Sequence, residues 1–234
     1  MNHPPNITDD LMFWYDMEED YSQGHTIKDS SGRGNHIPTS GRFYDELLAT
    51  DLGARSAASV TGLKGNGIKP TLAYHRDHEG AAGLVTYPDF RLATGNVWTI
   101  AGWLYTDIRD INQQVYIADK FTTGAAREYG ISVDGRVATL ITSDGGDIID
   151  SDDFNQITND GAWNFVVGWY DNDDAEKFYL QLNNGLVMEK AIVTGAAVQT
   201  GSFHIGGING SYNSKIDMVM GWKRLLTQVE RTWL

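Results

Sequence analysis

The sequence predicts an all-β fold: two antiparallel sheets packed as a sandwich, with one short C-terminal helix. Three observations carry this prediction. Short runs of apolar or alternating residues recur from Gly67 to Lys223. The chain holds 26 glycines against 5 prolines, which suits many turns between short strands. The clear helical pattern is confined to the last residues, where Thr227 and Glu230 have capping-box spacing.

Each element has its own reason. Leu11 to Tyr15 is a compact apolar run and reads as the opening strand, followed by an acidic turn from Asp16 to Asp20. Lys28 to His36 mixes Asp, Ser, Gly and Asn and reads as a tight irregular loop. Residues 37–66 carry weak signals and read as an insertion or long loop. Strands are then expected over 67–74, 83–87, 97–105, 114–121, 129–133, 137–142, 163–170, 177–182, 186–190, 202–205 and 215–223. Asp134-Gly135 and Asn184-Gly185 read as two-residue hairpin turns, because these residues tolerate positive φ.

Alternation assigns faces within the strands. Trp163, Phe165, Val167 and Trp169 share one face, and Trp103, Trp163 and Trp169 are expected in the core. Phe178, Leu180 and Leu182 align, with Tyr179 and Gln181 opposite. Ile216, Met218, Met220 and Trp222 align, with Asp217 and Val219 opposite. In the helix, Val229 and Trp233 are four apart and are expected to dock on a sheet edge or loop.

Composition narrows function. With 18 basic and 31 acidic residues the net charge is −13, a field that repels nucleic-acid phosphates and anionic membranes and suits a divalent cation. The 234 residues contain no cysteine, so disulfides, thiolate catalysis and cysteine-held zinc are excluded. The N-terminus carries no signal-peptide pattern, and no apolar run is long enough for a membrane-spanning helix. The chain is read as one domain over residues 1–234.

Taken in order, several segments resemble the laminin-G-like, concanavalin A-like lectin-glucanase jelly-roll domains. They are Phe13-Trp14-Tyr15 before the acidic turn, Asp29 to Asn35, Trp98-Thr-Ile-Ala-Gly-Trp103, Trp163 to Asp171, Phe178 to Gly185, Phe203 to Gly207 and Lys215 to Glu230. Residues 37–66 and 106–127 match this pattern poorly, and Met218 stands where the family usually has an acidic residue. The resemblance implies a jelly-roll sandwich that binds glycans or proteins, often with a structural calcium. It places the Asp29 loop beside the final strand, so Asp29 and Asp217 are the expected calcium ligands. A glycine-rich loop next to a strand carboxylate suits the oxygen cage that calcium takes. The alternative for Asp217 is a buried carboxylate satisfied by turn amides or an arginine.

His75-Arg-Asp-His78-Glu79 offers two imidazoles and two carboxylates, but zinc needs a further ligand from elsewhere, and a polar loop is the simpler reading. The aspartates from Asp144 to Asp153 read as a solvated loop. Glycoside hydrolysis needs two carboxylates flanking the sugar bond, and the Glu-x-Asp-x-x-Glu run of sandwich hydrolases is absent. No Gly-x-Ser-x-Gly nucleophile elbow is present either. Tyr44, Tyr74, His75 and Tyr212 at loop edges are the candidate sugar-stacking platform, against the alternative of ordinary surface aromatics.

The expected function is therefore a non-catalytic binding or structural module. With its own methionine and no leader, the chain is expected to be made in the cytoplasm and displayed on a virus or bacteriophage particle, as a head decoration or tail component. Its expected partners are other virion or assembly proteins, surface glycans and further copies of itself, with no nucleic acid and no membrane insertion. The alternatives are a carbohydrate-binding module of a secreted glycan-degrading protein, a divergent polysaccharide hydrolase or lyase, and a purely structural assembly protein.

Overall fold

The computed structural model describes residues 6–16, 28–36, 58–61, 66–69, 74–76, 97–105, 114–121, 127–134, 137–143, 147–150, 161–173, 177–191, 202–207 and 215–234. Among these residues the strands are β1 (Leu11–Tyr15), β2 (Ala58–Thr61), β3 (Asn66–Lys69), β4 (Tyr74–Arg76), β5 (Val97–Tyr105), β6 (Gln114–Phe121), β7 (Arg127–Asp134), β8 (Val137–Ser143), β9 (Asp147–Asp150), β10 (Trp163–Asp171), β11 (Lys177–Leu182), β12 (Val187–Ala191), β13 (Ser202–Gly207) and β14 (Lys215–Trp222). One helix, α1 (Gln228–Trp233), follows.

The strands form two antiparallel sheets. The larger has the order β12-β11-β10-β5-β14-β3-β2, with β1 also paired to β14. The smaller has the order β4-β13-β6-β7-β8-β9. The opening and closing strands therefore zip together: Trp14 lies opposite Met220 and Tyr15 opposite Val219. β3 meets the same strand at Ile216, so β14 serves two partners in succession.

A bulge accompanies this change of partner. In the β14–β5 ladder Asp217 pairs with Trp103 but Met220 pairs with Ala101, so β14 carries one extra residue. Met218 has φ of 50°. A left-handed conformation in a residue other than glycine costs about 1–2 kcal/mol, so neighbouring packing must hold it. The bulge also breaks the alternation expected from Ile216 to Trp222. Ile216 and Val219 join the core between the sheets, whereas Met220 and Trp222 lie on the outer face of the larger sheet.

That outer face holds a second apolar cluster. The core between the sheets contains Phe13, Tyr15, Trp98, Tyr129, Phe178 and Phe203 among others. The outer cluster contains Leu11, Phe165, Val167, Trp169, Tyr179, Trp222 and Leu234. Trp163, Phe165, Val167 and Trp169 do share a face, but it points away from the other sheet. Trp169 is buried there, while Trp103 and Trp163 are half-buried, so the expectation that all three are core residues is corrected. Alternation identifies residues that share a face without identifying what covers it.

Two glycines allow close packing in the sandwich. A Cβ at Gly221 would collide with the Phe13 ring, and one at Gly102 with Ile117. The turn expected at Asn184-Gly185 sits one residue earlier. Asn183 and Asn184 have φ of 48° and 58°, and the Gly185 N–H donates to Leu182 O. The turn positions are thus Asn183-Asn184, held by Asn183 Oδ1 accepting from Phe165 N at 2.8 Å and by Asn183 Nδ2 donating to Asn164 Oδ1. Asp134 pairs with Val137 in the other expected hairpin, whose Gly135 lies outside the described residues. The stretch read as a solvated acidic loop contains β9, which pairs with β8 through Ile148 and Ile149. The strand expected over 83–87 lies outside the described residues.

Candidate functional site: an outer sheet face with a sealed and an open end

The outer face of the larger sheet is closed at one end by the chain termini. Trp222 is fully buried and its indole N–H donates to Ile7 O at 2.6 Å. The Arg224 guanidinium donates to Asp9 O, Asn6 O and Leu225 O, and it grips both carboxylate oxygens of Glu230 at 2.7 and 3.1 Å. Thr99 Oγ1 donates to Arg224 O and accepts from Leu226 N, tying this segment to β5. Thr227 caps α1, and Glu230 returns the bond to the Thr227 N–H, completing the expected capping box.

Electrostatics reinforce this end. The Arg224 guanidinium bonded to Glu230 holds its carboxyl down at about 2, against the opposing effect of burial. Arg231 lies 4.3 Å from the Trp169 ring centroid and donates to Gln181 Oε1 and Leu226 O. Burial pushes its pKa down, and Glu230 partly offsets this. These groups dock the helix. Val229 and Trp233, expected to dock it, are instead 69% and 52% exposed. The helix turns toward the sheet the face that carries the salt bridge and the stacked arginine.

The other end of the face is open. Here β10 and β5 present aromatic side chains at facing ladder positions, and β1 contributes Trp14 to the same outer face. Trp163 pairs with Tyr105, and their rings meet edge-on with centroids 5.9 Å apart. Phe165 pairs with Trp103 at 5.2 Å. Trp103, Tyr105, Trp163 and Trp14 are all half-buried. Trp14 and Trp103 each carry a buried indole N–H with no acceptor among the described residues. Native proteins satisfy the great majority of such donors. Gly161, at φ of 70°, turns the chain into β10 beside Tyr105.

A cavity of about 280 Å³ adjoins this strip, lined by Ile7, Trp14, Asp16, Met218, Met220, Trp233 and Leu234. The Met218 bulge contributes to its wall, and the exposed ring of Trp233 borders it. Its lining is apolar apart from the Asp16 carboxylate, which accepts from Ser30 Oγ at 2.6 Å.

The expected site residues fall in different places. Asp29 is buried, and its carboxylate takes three amide donors: Trp14 N and Ser31 N on Oδ1, and Asn35 N on Oδ2. Ser30 N donates to Trp14 O, so the Asp29 loop covers the edge of β1 turned away from β14. Asn35 Nδ2 and Arg33 Nε donate to β1 carbonyls and Tyr15 Oη donates to Asn35 O, completing the clasp. Asp217 is fully buried on β14, opposite Trp103. Asp217 lies two residues beyond Val219, the last β14 position paired with β1, and the Asp29 oxygens accept from the Trp14, Ser31 and Asn35 amides. Three amide donors occupy most of the roughly four acceptor sites of the Asp29 carboxylate, which leaves little of it for a cation. Among the described residues no group of three or more His, Asp or Glu side chains gathers to hold a metal ion. Tyr74 and His75 form part of β4, opposite Ile205 and His204 of β13. Tyr44 and Tyr212 lie outside the described residues.

The open-end aromatics were missed as site residues because their alternation read as core. The available signal was density: aromatic residues occupy positions 163, 165 and 169 of one strand face and 103 and 105 of another, more than one core layer needs.

This architecture agrees with comparisons to known proteins. A family model described as the concanavalin A-like lectin/glucanases superfamily matches residues 79–230. The chain belongs to this superfamily. No curated protein matches the sequence. Among solved structures, the chain is similar to the binding domain of Paraclostridial mosquitocidal protein 1, with TM-score 0.65 and 15% identity over 97% of this chain and 52% of that one. It is also similar to the receptor-binding domain of botulinum neurotoxin C/D mosaic serotype, with TM-score 0.62 and 10% identity over 97% of this chain and 51% of that one. A third is Trypanosoma rangeli sialidase, with TM-score 0.60 and 13% identity over 97% of this chain and 32% of that one. The superfamily member described here thus spans between a third and about half of the length of these structures. At such identities the likeness is one of fold.

Proposed function

We propose that the chain is a lectin-like module that binds glycans without cleaving them, through the open end of its larger sheet. The observation that carries this is the strip of half-buried aromatics, Trp14, Trp103, Tyr105 and Trp163, beside a cavity of about 280 Å³. Aromatic faces stack on the apolar faces of sugar rings. Asp217 is fully buried, and Asp16 is the one carboxylate on the cavity wall among the described residues, where glycoside hydrolysis takes two. Superfamily membership and the likeness to toxin receptor-binding domains and a sialidase support the same reading.

A glycan array probed with the purified chain tests this. Binding to a subset of glycans is expected, with no fragments released on prolonged incubation; an array without a hit sinks the reading, and cleavage lost on replacing one carboxylate replaces it with catalysis. Display on a virus or bacteriophage particle is the setting we propose from the sequence, and mass spectrometry of purified particles tests it.

A further inference from the structure

We propose that the cavity beside the aromatic strip takes a sugar carrying a free primary amine, and that Asp16 is the residue that selects it. This rests on the lectin reading above and names the class of glycan. The wall of the cavity is built from three elements. Trp14 of β1 and Asp16, which follows the last residue of that strand, both line it. Met220 lies opposite Trp14 on β14, and Met218 adds to the wall at the bulge. Trp233, 52% exposed, closes it from α1. Two indoles and two thioethers thus surround one carboxylate.

That set of groups discriminates by charge. Asp16 is the one charged side chain on the wall among the described residues, and none of the lining side chains is basic. A carboxylate only accepts hydrogen bonds, at about four lone-pair positions. Ser30 Oγ supplies one at 2.6 Å, which orients the group. A ligand seated here must therefore bring donors, and an ammonium brings three together with a positive charge. Indole faces attract cations, and thioether sulfur is polarizable. The same sheet face shows this pairing within the chain: at its sealed end Arg231 lies 4.3 Å from the Trp169 ring centroid. At the cavity the indoles and the carboxylate are present, and the cation is left for the ligand to supply. A carboxylated or sulfated sugar would instead meet Asp16 with like charge, on a chain of net charge −13. The cavity of about 280 Å³ lies just under the range of about 300–1,000 Å³ typical of small-molecule pockets, which suits a single sugar residue with its neighbours on the aromatic strip.

Calorimetric titration with three probes tests the assignment: a tetramer of β-1,4-linked glucosamine, its fully N-acetylated form, and sialyllactose. Acetylation removes the positive charge and leaves the sugar backbone unchanged. The wild type is expected to bind the amine form at least about tenfold more tightly than the acetylated form, with sialyllactose weaker still. Added salt, and a pH at which the amine loses its proton, are expected to narrow the gap. Asp16→Asn is expected to bring the two tetramers within about twofold of each other, with an unchanged circular dichroism spectrum. The wild-type comparison needs no variant, so it stands whether or not Asp16→Asn folds. Equal binding of the two tetramers overturns the proposal, as does an amine preference that survives Asp16→Asn or tighter binding of sialyllactose. Glycan-array hits confined to neutral or acidic sugars overturn it while the lectin reading stands, whereas an array without a hit sinks both.

Discussion

The two ends of one sheet face use the same kinds of residue for opposite purposes. At the sealed end, Trp222 and Trp169 are buried beneath the terminal segments, and polar groups there are paired: Arg224 with Glu230, Thr99 with Arg224 and Leu226, Arg231 with Trp169 and Gln181. At the open end, Trp163 packs against Tyr105 and Trp103 against Phe165, yet Trp163, Tyr105 and Trp103 remain half-covered, and the indole donors of Trp103 and Trp14 lack acceptors among the described residues. Aromatic content alone does not separate structure from function. Coverage does: the sealed-end rings lie beneath the terminal segments, and the open-end rings do not.

The contrast is broken most strongly by Trp222→Ala. Removing this fully buried ring and its bond to Ile7 O is expected to cost about 3–5 kcal/mol, read as a lower urea midpoint. Trp163→Ala at the open end is expected to cost far less, because water already reaches part of the ring. Similar losses for both variants would erase the distinction. Next in size is Gly221→Ala, whose new methyl group would strike the Phe13 ring at the β1–β14 zip. Overpacking of this kind costs about 1–3 kcal/mol, and a melting temperature equal to wild type would show that the zip is loose.

The third prediction concerns pH. Glu230 has a folded pKa near 2, lowered from 4.5, so its contribution is fully present above pH 4.5 and is lost as pH falls toward 2. By linkage this amounts to about 3 kcal/mol between those limits. Glu230→Gln is expected to lower stability at neutral pH and to flatten this part of the pH profile. An unchanged profile would mean that Arg224 does not hold the carboxylate. The smallest effect is expected from calcium. Because Asp29 spends its oxygens on Trp14, Ser31 and Asn35 amides, added calcium should leave the melting temperature unchanged, whereas Asp29→Ala should lower it. A calcium-dependent rise abolished by Asp29→Ala would revise that role.

Much of the fold was legible because local rules suffice for it. The alternation in Lys177–Leu182, the apolar run Leu11–Tyr15 and the Thr227–Glu230 spacing each determine an element directly. The turn at Asn183-Asn184 was displaced by one residue because adjacent asparagines and a glycine all tolerate positive φ, and the bonds of Asn183 to Phe165 and Asn164 decide among them. The Met218 bulge was illegible: methionine gives no sign of a left-handed backbone, which is imposed where β14 passes from β3 to β1. β9 was hidden because Asp147 and Asp150 masked a pair of isoleucines. The candidate site was misread for a related reason. Period-two patterning puts Trp163 and Trp169 on one face, but whether a helix covers that face depends on Arg224 and Arg231, far along the chain.

The central claim is that affinity and stability reside at opposite ends of this face, and one paired measurement tests it. The glycan bound most tightly on an array is titrated calorimetrically into two variants, Trp163→Ala with Tyr105→Ala at the open end and Arg231→Ala at the sealed end, and each is also melted. The open-end variant is expected to lose at least about tenfold in affinity, or 1.4 kcal/mol, while melting close to wild type; Arg231→Ala is expected to melt lower and bind normally. Full affinity in the open-end variant, or affinity lost only with Arg231, would contradict the account.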